Sequence, residues 1–493
     1  MRYYYTADEV RTAEAELFTR VPEGVPMQRA STGLAVAVAA ELRRRTGGIV
    51  GRRVTLLVGS GDNGGDVLFA GSMLRRRGAA VTAILLKPDR AHVKGLAALR
   101  NSGGRVGSTL DGPELVIDGI VGISGKGPLR PDAAELVAKI RAPIVAADLP
   151  SGVDPDTGAV AGPAVRADVT VTFGAYKRVH VLAAPQCGRV ELVPIGLRLD
   201  PSGLGALDAD EVGRLWPVPG PHDDKYSQGV VGISAGSEKY PGAAVLCSGA
   251  AVAATSGMVR YAGSAAVQVL ARYPEVVAAP DIESAGRVQA WVIGPGGGTG
   301  DETRERLALV LGSDLPVLID ADGLTVLAEH SELVRGRSAP TVLTPHAGEF
   351  ARLTGEEVGA DRVAAVTGLA ADWGVTVLLK GRATVIASPT GQVLVNEAGG
   401  SWASTAGAGD VLSGIIGSLL AAGLDPAVAA AAGARAHALA ANLAAHDGGA
   451  VGAPISALPL LDRVRDAVRT LRAQAHGRPD SEQTRQQWQT RKP

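Results

Sequence analysis

Short apolar runs alternate with helix-length segments along most of this chain. In the first 200 residues the runs are Val54–Val58, Ala80–Leu86, Leu115–Ile117, Ile144–Ala147 and Val169–Phe173. Residues 8–45 read as helical, with an alanine-rich apolar pattern from Ala30 to Leu42 closed by Gly47-Gly48, and Leu68–Arg77 reads as the next helix. This rhythm predicts an α/β fold in which a parallel sheet is covered on both faces, a three-layer sandwich.

The rhythm breaks between Leu199 and Gly229, where Pro201-Ser-Gly-Leu-Gly205 and Pro217-Val-Pro-Gly-Pro221 interrupt it. A second α/β series then runs through Val230–Ser234, Ala290–Ile293, Val317–Ile319, Val342–Leu343, Val375–Leu379 and Thr384–Ile386. It closes with alanine-rich helices between Ile415 and Ala445, divided at Asp425-Pro426. The expected domains are therefore 1–210 and 225–474, with a linker at 211–224 and a disordered polar tail at 475–493.

Composition narrows the class. With 493 residues the chain is too long for one ordinary core, and 46% hydrophobic with 20% charged residues describes a globular protein. A net charge of −1 gives no electrostatic case for nucleic acid or a membrane surface as partner. Cys187 and Cys247 form neither a disulfide framework nor a metal cluster, and the N-terminal stretch to Glu16 is polar, so a cytoplasmic protein is expected. Arg435, His437 and Asn442 make a spanning helix near the C-terminus improbable, and no membrane association is expected.

Two glycine-rich, aspartate-bearing loops carry the candidate chemistry. Gly59-Ser-Gly-Asp-Asn-Gly-Gly-Asp66 follows a strand and opens a helix, the context of a phosphate-binding loop. Gly61, Gly64 and Gly65 are expected to let the backbone approach a ligand in conformations closed to other residues. Asp62, Asn63 and Asp66 put oxygens around the turn, suited to a cation, a ribose or an amide; a plain Gly-Asn turn with an aspartate cap is the other reading. Further strands end in Asp118, followed by the loop Gly122-Ile-Ser-Gly-Lys-Gly-Pro128, and in Asp148-Leu-Pro-Ser-Gly152. In a doubly wound sheet those ends lie side by side at the ligand edge, where a carboxylate can act as general base.

The second loop, Thr405-Ala-Gly-Ala-Gly-Asp-Val-Leu-Ser-Gly414, precedes an apolar helix, so its N–H groups converge on an anion while Asp410 can take a proton from a hydroxyl. That combination suits phosphoryl transfer to an alcohol; Asp410 as a simple N-cap is the bland alternative. Lys380-Gly-Arg-Ala-Thr384 forms a turn suited to nucleotide phosphates. Thr344-Pro-His346 and Gly294-Pro-Gly-Gly-Gly298 fall at other strand ends.

Asp62–Asp66 followed by Asp148-Leu-Pro-Ser-Gly152, with the opening Tyr5-Thr-Ala-Asp-Glu-Val-Arg11, resembles the NAD(P)H-hydrate epimerase (YjeF N-terminal) family, a Rossmann-like fold. The resemblance implies that Asp62, Asn63, Gly64, Gly65 and Asp66 bind the hydrated nicotinamide nucleotide together with Gly122, Ile123, Ser124, Gly125, Lys126, Gly127 and Pro128. Asn63, Asp118 and Ser151 would form a potassium (K+) site, and Asp148 would be the acid/base. The family usually has Asn where this chain has Asp62, a departure that adds negative charge near a phosphate.

The second half is similar to the ribokinase-like ADP/ATP-dependent NAD(P)H-hydrate dehydratases. It matches at Lys225-Tyr-Ser-Gln-Gly229, Gly236-Ser237 and Tyr240-Pro-Gly-Ala243 besides the loops above. By that resemblance Asp410 is the catalytic base. Lys380, Gly381, Arg382, Ala383, Thr384 and Gly409 contact the nucleotide, and Ala243, Gly298 and His346 hold the substrate. The implied ligands are NADHX, NADPHX, ADP or ATP and Mg2+, and since such dehydratases commonly assemble, a homo-oligomer is implied. A small-molecule kinase with a nucleotide-sensing domain, or a first domain serving only as a binding module, are the competing readings.

Overall fold

The computed structural model describes residues 1–255 and 257–476. They divide into two compact units, one of Tyr3–Leu204 and one of Met1–Arg2 with Gly205 onward.

In the Tyr3–Leu204 unit seven strands form one parallel sheet. Across it they run Arg105–Gly107, Ala80–Leu85, Arg53–Val58, Leu115–Gly119, Ile144–Ala147, Val169–Phe173 and Arg189–Val193. Every residue of the Leu115, Ile144 and Val169 strands is buried, which is why Leu115–Ile117 and Ile144–Ala147 are apolar without alternation; in Val169–Phe173 the alternating Thr170 and Thr172 are buried with their hydroxyls donating to Cys187 O and Ala175 O. The short outer strands Arg105–Gly107 and Arg189–Val193 lack a long apolar run and escape the sequence pattern. The order reverses direction between Arg53–Val58 and Leu115–Gly119, a topological switch point where the following loops diverge and leave a crevice.

Three local differences from the sequence expectation have simple causes. The helical stretch 8–45 is two helices, Ala7–Arg20 and Val25–Thr46, because Pro22 and a left-handed Gly24 (φ +83°) separate them. The next helix is Asp62–Arg76, beginning well before Leu68. Asp62 to Asp66 are thus its first residues, not a loop, and Gly61, Gly64 and Gly65 have no left-handed backbone. What Gly64 needs is space: a Cβ there would sit 2.4 Å from the Gly59 carbonyl oxygen.

In the second unit nine strands run Val393–Glu397, Ala383–Ala387, Thr376–Leu379, Thr341–Leu343, Val317–Ile319, Ala290–Ile293, Val230–Ser234, Met258–Ala262 and Val277–Ala279. The first two are antiparallel to their neighbours and the rest are parallel. Here the switch point falls between Ala290–Ile293 and Val230–Ser234. The division between units lies at Leu204/Gly205, ahead of the expected 210. Part of the expected 211–224 linker is helical: Ala209–Leu215, capped by Asp208 and Glu211, packs on Val464–His476. Of the expected tail, Ala475 and His476 end that last helix, and residues 477–493 lie outside the described residues.

The apolar C-terminal segment is two helices, Ala408–Ala421 and Pro426–His446, the second capped by Asp425. Among the described residues no helix is long and apolar enough to cross a membrane. Instead the Ala408 helix is buried on nearly all sides, and small residues set its distance from its neighbours. A Cβ on Gly414 would lie 2.2 Å from the carbonyl oxygen of Cys247 in the Pro241–Ala254 helix, and one on Gly433 2.6 Å from Ile416. Since backbone cannot rotate aside as a side chain can, Gly414→Ala should destabilise this unit by roughly 1–3 kcal/mol in denaturant unfolding. An unchanged midpoint would show that the helices separate freely.

Candidate active sites

At the switch point of the first sheet, three strand ends are tied together by hydrogen bonds. Asn63, in the first turn of the Asp62 helix, donates from Nδ2 to Val121 O (2.9 Å) and Ala147 O (3.1 Å). Ser151 donates through its N–H to Asp118 Oδ2 (2.9 Å) and through its hydroxyl to Asp118 Oδ1 (2.8 Å), and Val121 N donates to Ser151 Oγ (3.1 Å). Val121 therefore links Asn63 to the Ser151–Asp118 pair. Burial pushes the Asp118 carboxyl up to about 6, although the Ser151 and Ile120 donors oppose the shift. Asn63 Oδ1 is buried with no hydrogen-bond partner, the only such side-chain oxygen among the described residues of this unit.

Asp148 follows the Ile144–Ala147 strand with φ +70°, a left-handed backbone uncommon for a residue other than glycine. Its surroundings hold it there. Its N–H donates to Val171 O (2.7 Å), and one carboxylate oxygen, Oδ1, accepts a hydrogen bond from the buried Lys177 ammonium. Its carbonyl oxygen lies 2.9 Å from His180 Nε2. His180 Nδ1 accepts from Lys177 N (2.9 Å), so Nε2 carries the proton and donates to Asp148. Burial, helped by the Lys177 charge, lowers the His180 pKa to about 4, keeping the ring neutral. Lys177, Thr172 and His180 escape the motif reading; Thr172 lies in the Val169–Phe173 strand next to that of Asp148, and Lys177 and His180 follow that strand.

The loop Gly122–Pro128 closes over this edge. A Cβ built on Gly122 would lie 3.5 Å from Asn63 Cβ and 3.6 Å from Asp148 Oδ2, and Ile123 O accepts from Arg11 of the first helix (3.0 Å). Ser124, Lys126, Gly127 and Pro128 are exposed, whereas Ile123 and Gly125 are half-buried. Asp62 is exposed at the first turn of its helix. Asp66 is buried and accepts from Ser31 (3.2 Å), so it is not the cap that the bland reading required. Burial holds the Asp66 carboxyl well above the usual range, and Glu14 is raised by burial and by the nearby Asp148.

The second unit repeats the strand-end logic. Val317–Ile319 ends in Asp320, which the sequence reading missed; its Oδ1 accepts from Lys380 Nζ (2.5 Å) and its Oδ2 from Ser413 Oγ (2.7 Å). Glu349 Oε2 lies 3.9 Å from the same ammonium. Lys380 is only 20% exposed, and both neighbours are acidic, so its ammonium is engaged within the protein. A Cβ on Gly409 would meet Lys380 Nζ at 3.3 Å, which puts the Lys380 turn against the Gly409-Asp410 turn. In that turn Thr384 Oγ1 donates to Gly381 O (2.9 Å), and Arg382 pairs with Glu397. Ala383 begins the following strand.

Asp410 sits in the first turn of the Ala408–Ala421 helix. Its carboxyl is raised to about 7, chiefly by burial and also by Asp320 and Asp322, with Lys380 opposing them. Across the switch point, a Cβ on Gly296 would strike Ala243 Cβ at 2.7 Å, and Gly298 (φ +82°) donates to Asp322 Oδ2 (2.9 Å). Ala243 and the Gly294–Gly298 loop therefore line one crevice. His346 caps the Ala347–Thr354 helix by accepting from Gly348 N and Glu349 N through Nδ1, leaving a ring 59% exposed at the same sheet edge.

Two α/β units, each with an acidic group at a helix start and a switch-point crevice, define a two-domain enzyme with separate sites. The YjeF-related protein N-terminus family matches residues 25–179, and the NAD(P)H-hydrate dehydratase family matches residues 231–459. The bifunctional NAD(P)H-hydrate repair enzyme Nnr of Mycobacterium tuberculosis is 61% identical over 435 residues, covering 87% of this chain and 92% of the relative. Its Mycobacterium leprae counterpart is 58% identical over 475 residues, 96% and 100% of the two chains. A solved ADP/ATP-dependent NAD(P)H-hydrate dehydratase from Bacillus subtilis, co-crystallized with ATP/Mg2+, is 26% identical with a TM-score of 0.48, covering 54% of this chain and 98% of that one. The chain belongs to the family of bifunctional NAD(P)H-hydrate repair enzymes, joining an epimerase domain to a dehydratase domain.

The environment of Asp410 has a direct readout. By carboxyl-carbon NMR its titration should be centred near pH 7. Lys380→Met, which removes the opposing positive charge, should move the midpoint upward. A midpoint in the ordinary aspartate range, or a downward move in the variant, would contradict the assigned surroundings.

Proposed function

We propose that the first unit interconverts the R and S hydrates of NADH and NADPH, and that the second uses ADP or ATP to dehydrate the S form. The observation that carries this reading is Asp410: a carboxyl at about 7, in the first turn of a buried helix, beside a glycine turn and a lysine turn. A base poised near neutral pH at a helix N-terminus suits proton removal from an alcohol while the helix end stabilises the phosphoryl group in transfer.

The hydrate carries a hydroxyl on C6 of the reduced nicotinamide ring, and hydroxide is a poor leaving group. Asp410 takes the hydroxyl proton as the oxygen attacks the terminal phosphoryl group; with ADP as donor, AMP leaves. The ring nitrogen's lone pair then expels phosphate from C6, and loss of a proton from C5 restores the double bond of NAD(P)H. In this reading Gly409 and the 380–384 turn hold the nucleotide largely through backbone, because the Lys380 ammonium is engaged by Asp320 and Glu349. Ala243, Gly298 and His346 hold the hydrate. Mg2+ would neutralise phosphate charge; held chiefly by the phosphates, it needs only one or two carboxylates, and Asp322 is outside the Lys380 ion pairs.

In the first unit Asp148 would move the proton that allows water to leave C6 and return on the other face. Asn63 and the 122–128 loop would hold the substrate beside it, with Asp62 and Asp66 contributing from the same helix start as Asn63. The unpartnered Asn63 Oδ1, with Asp118 and Ser151 close by, fits a hard monovalent cation. Asn63, Asp118 and Ser151 would hold K+, which would supply positive charge toward the substrate phosphates.

Asp410→Asn should lower NAD(P)H recovery from S hydrate by about 100-fold or more while leaving R-to-S conversion intact, and Asp148→Asn should do the reverse. Both are measurable by absorbance and by chromatographic separation of the epimers. Loss of both activities in either folded variant would refute two independent sites. Accumulation of a stable phosphorylated product would point to a kinase.

A further inference from the structure

We propose that Lys177 is the positioning residue of the epimerase site, anchoring one oxygen of Asp148 so that the other is presented to the hydrate. The inference rests on the reading of Asp148 as the proton-transfer group.

An ammonium has three N–H donors, and each has a partner here. Lys177 Nζ donates to Asp148 Oδ1, to Thr172 Oγ1 (2.9 Å) and to Phe173 O (2.9 Å), in a side chain that is 1% exposed. No donor remains for a substrate, so Lys177 acts through Asp148. Oδ1 is crowded in turn: Thr172 Oγ1 lies 3.3 Å from it and Phe173 N 3.5 Å. Oδ2 takes part in none of the described hydrogen bonds and faces Gly122, at the mouth of the ligand loop. The two oxygens of one carboxylate are thereby made unequal.

The clamp extends to the backbone. Lys177 N–H fixes the His180 tautomer, and His180 Nε2 donates to the carbonyl of Asp148 itself. One short segment, 177–180, thus holds both ends of a residue whose left-handed φ leaves it few other supports. Stability does not account for the arrangement. A buried ion pair contributes little over well-packed apolar groups of similar volume, because desolvation offsets its attraction. Its value here is orientation: a proton-transfer group displaced by about 1 Å loses about 100-fold in rate.

The test follows R-to-S conversion by chromatography, without nucleotide, in the full chain. Lys177→Met should lower kcat by about 100-fold with KM changed no more than about threefold. Lys177→Arg, which keeps the charge, should recover at least about tenfold of that loss. A folded Lys177→Met protein with unchanged kcat, or with its whole loss in KM, would overturn the proposal. If that variant fails to fold, Thr172→Val decides, since it removes one ammonium acceptor and leaves the ion pair. A fall in kcat at constant KM supports the clamp, and an unchanged kcat overturns it. Asp148→Asn is measured alongside. If it keeps full kcat, the assignment of Asp148 itself fails. If it is inactive while Lys177→Met behaves as wild type, only the positioning role fails.

Discussion

A carboxylate at the carboxyl end of a buried parallel strand has to be reconciled with its loss of water, and both units of this chain are organised around that constraint. Asp118 meets it with three hydrogen-bond donors, Asp148 with the Lys177 ammonium, and Asp320 with Lys380 and Ser413. Asp410 is the exception. Among the described residues no ammonium pairs with it directly, and burial with the nearby Asp320 and Asp322 holds its carboxyl at about 7. Burial and partners together set how each acid is held.

The two sites solve the problem differently because they do different chemistry. In the first, Asp148 is paired through one oxygen while the other faces a glycine loop, an arrangement that suits the proton transfer proposed for it. In the second, Asp320 and Lys380 form an inner pair beneath the Gly409-Asp410 turn, so Asp410, the proposed base, stays apart from that pair while a fixed field surrounds it. Both lie at topological switch points, where a doubly wound sheet opens a crevice without further design.

Much of this was legible in the sequence, for physical reasons. Buried parallel strands must be apolar, so most of the central strands stood out. Acids at the ends of such strands were visible as Asp118 and Asp148. The same rule applied to Val317-Leu-Ile-Asp320 would have found Asp320, which has no motif around it. Lys177 was harder to see, because its significance lies in which strand neighbours Ile144–Ala147. Glycine misled in one place. The Gly-rich stretch before Asp66 suggested a loop, whereas the glycines serve close packing at the start of a helix. The short edge strands and the Asp208-capped helix were hidden because each buries little and depends on its neighbours for support.

The central claim is that one chain makes both hydrate epimers usable. It is tested most directly by following NADH absorbance recovered from a mixed R and S hydrate preparation with ADP or ATP and Mg2+. The account predicts recovery of the whole sample, at a rate that falls to R-to-S conversion once the S form is consumed. Recovery that stops at the S share would contradict the epimerase half, with the acidic Asp62 the first residue to revert to asparagine. No recovery with either nucleotide would contradict the account as a whole.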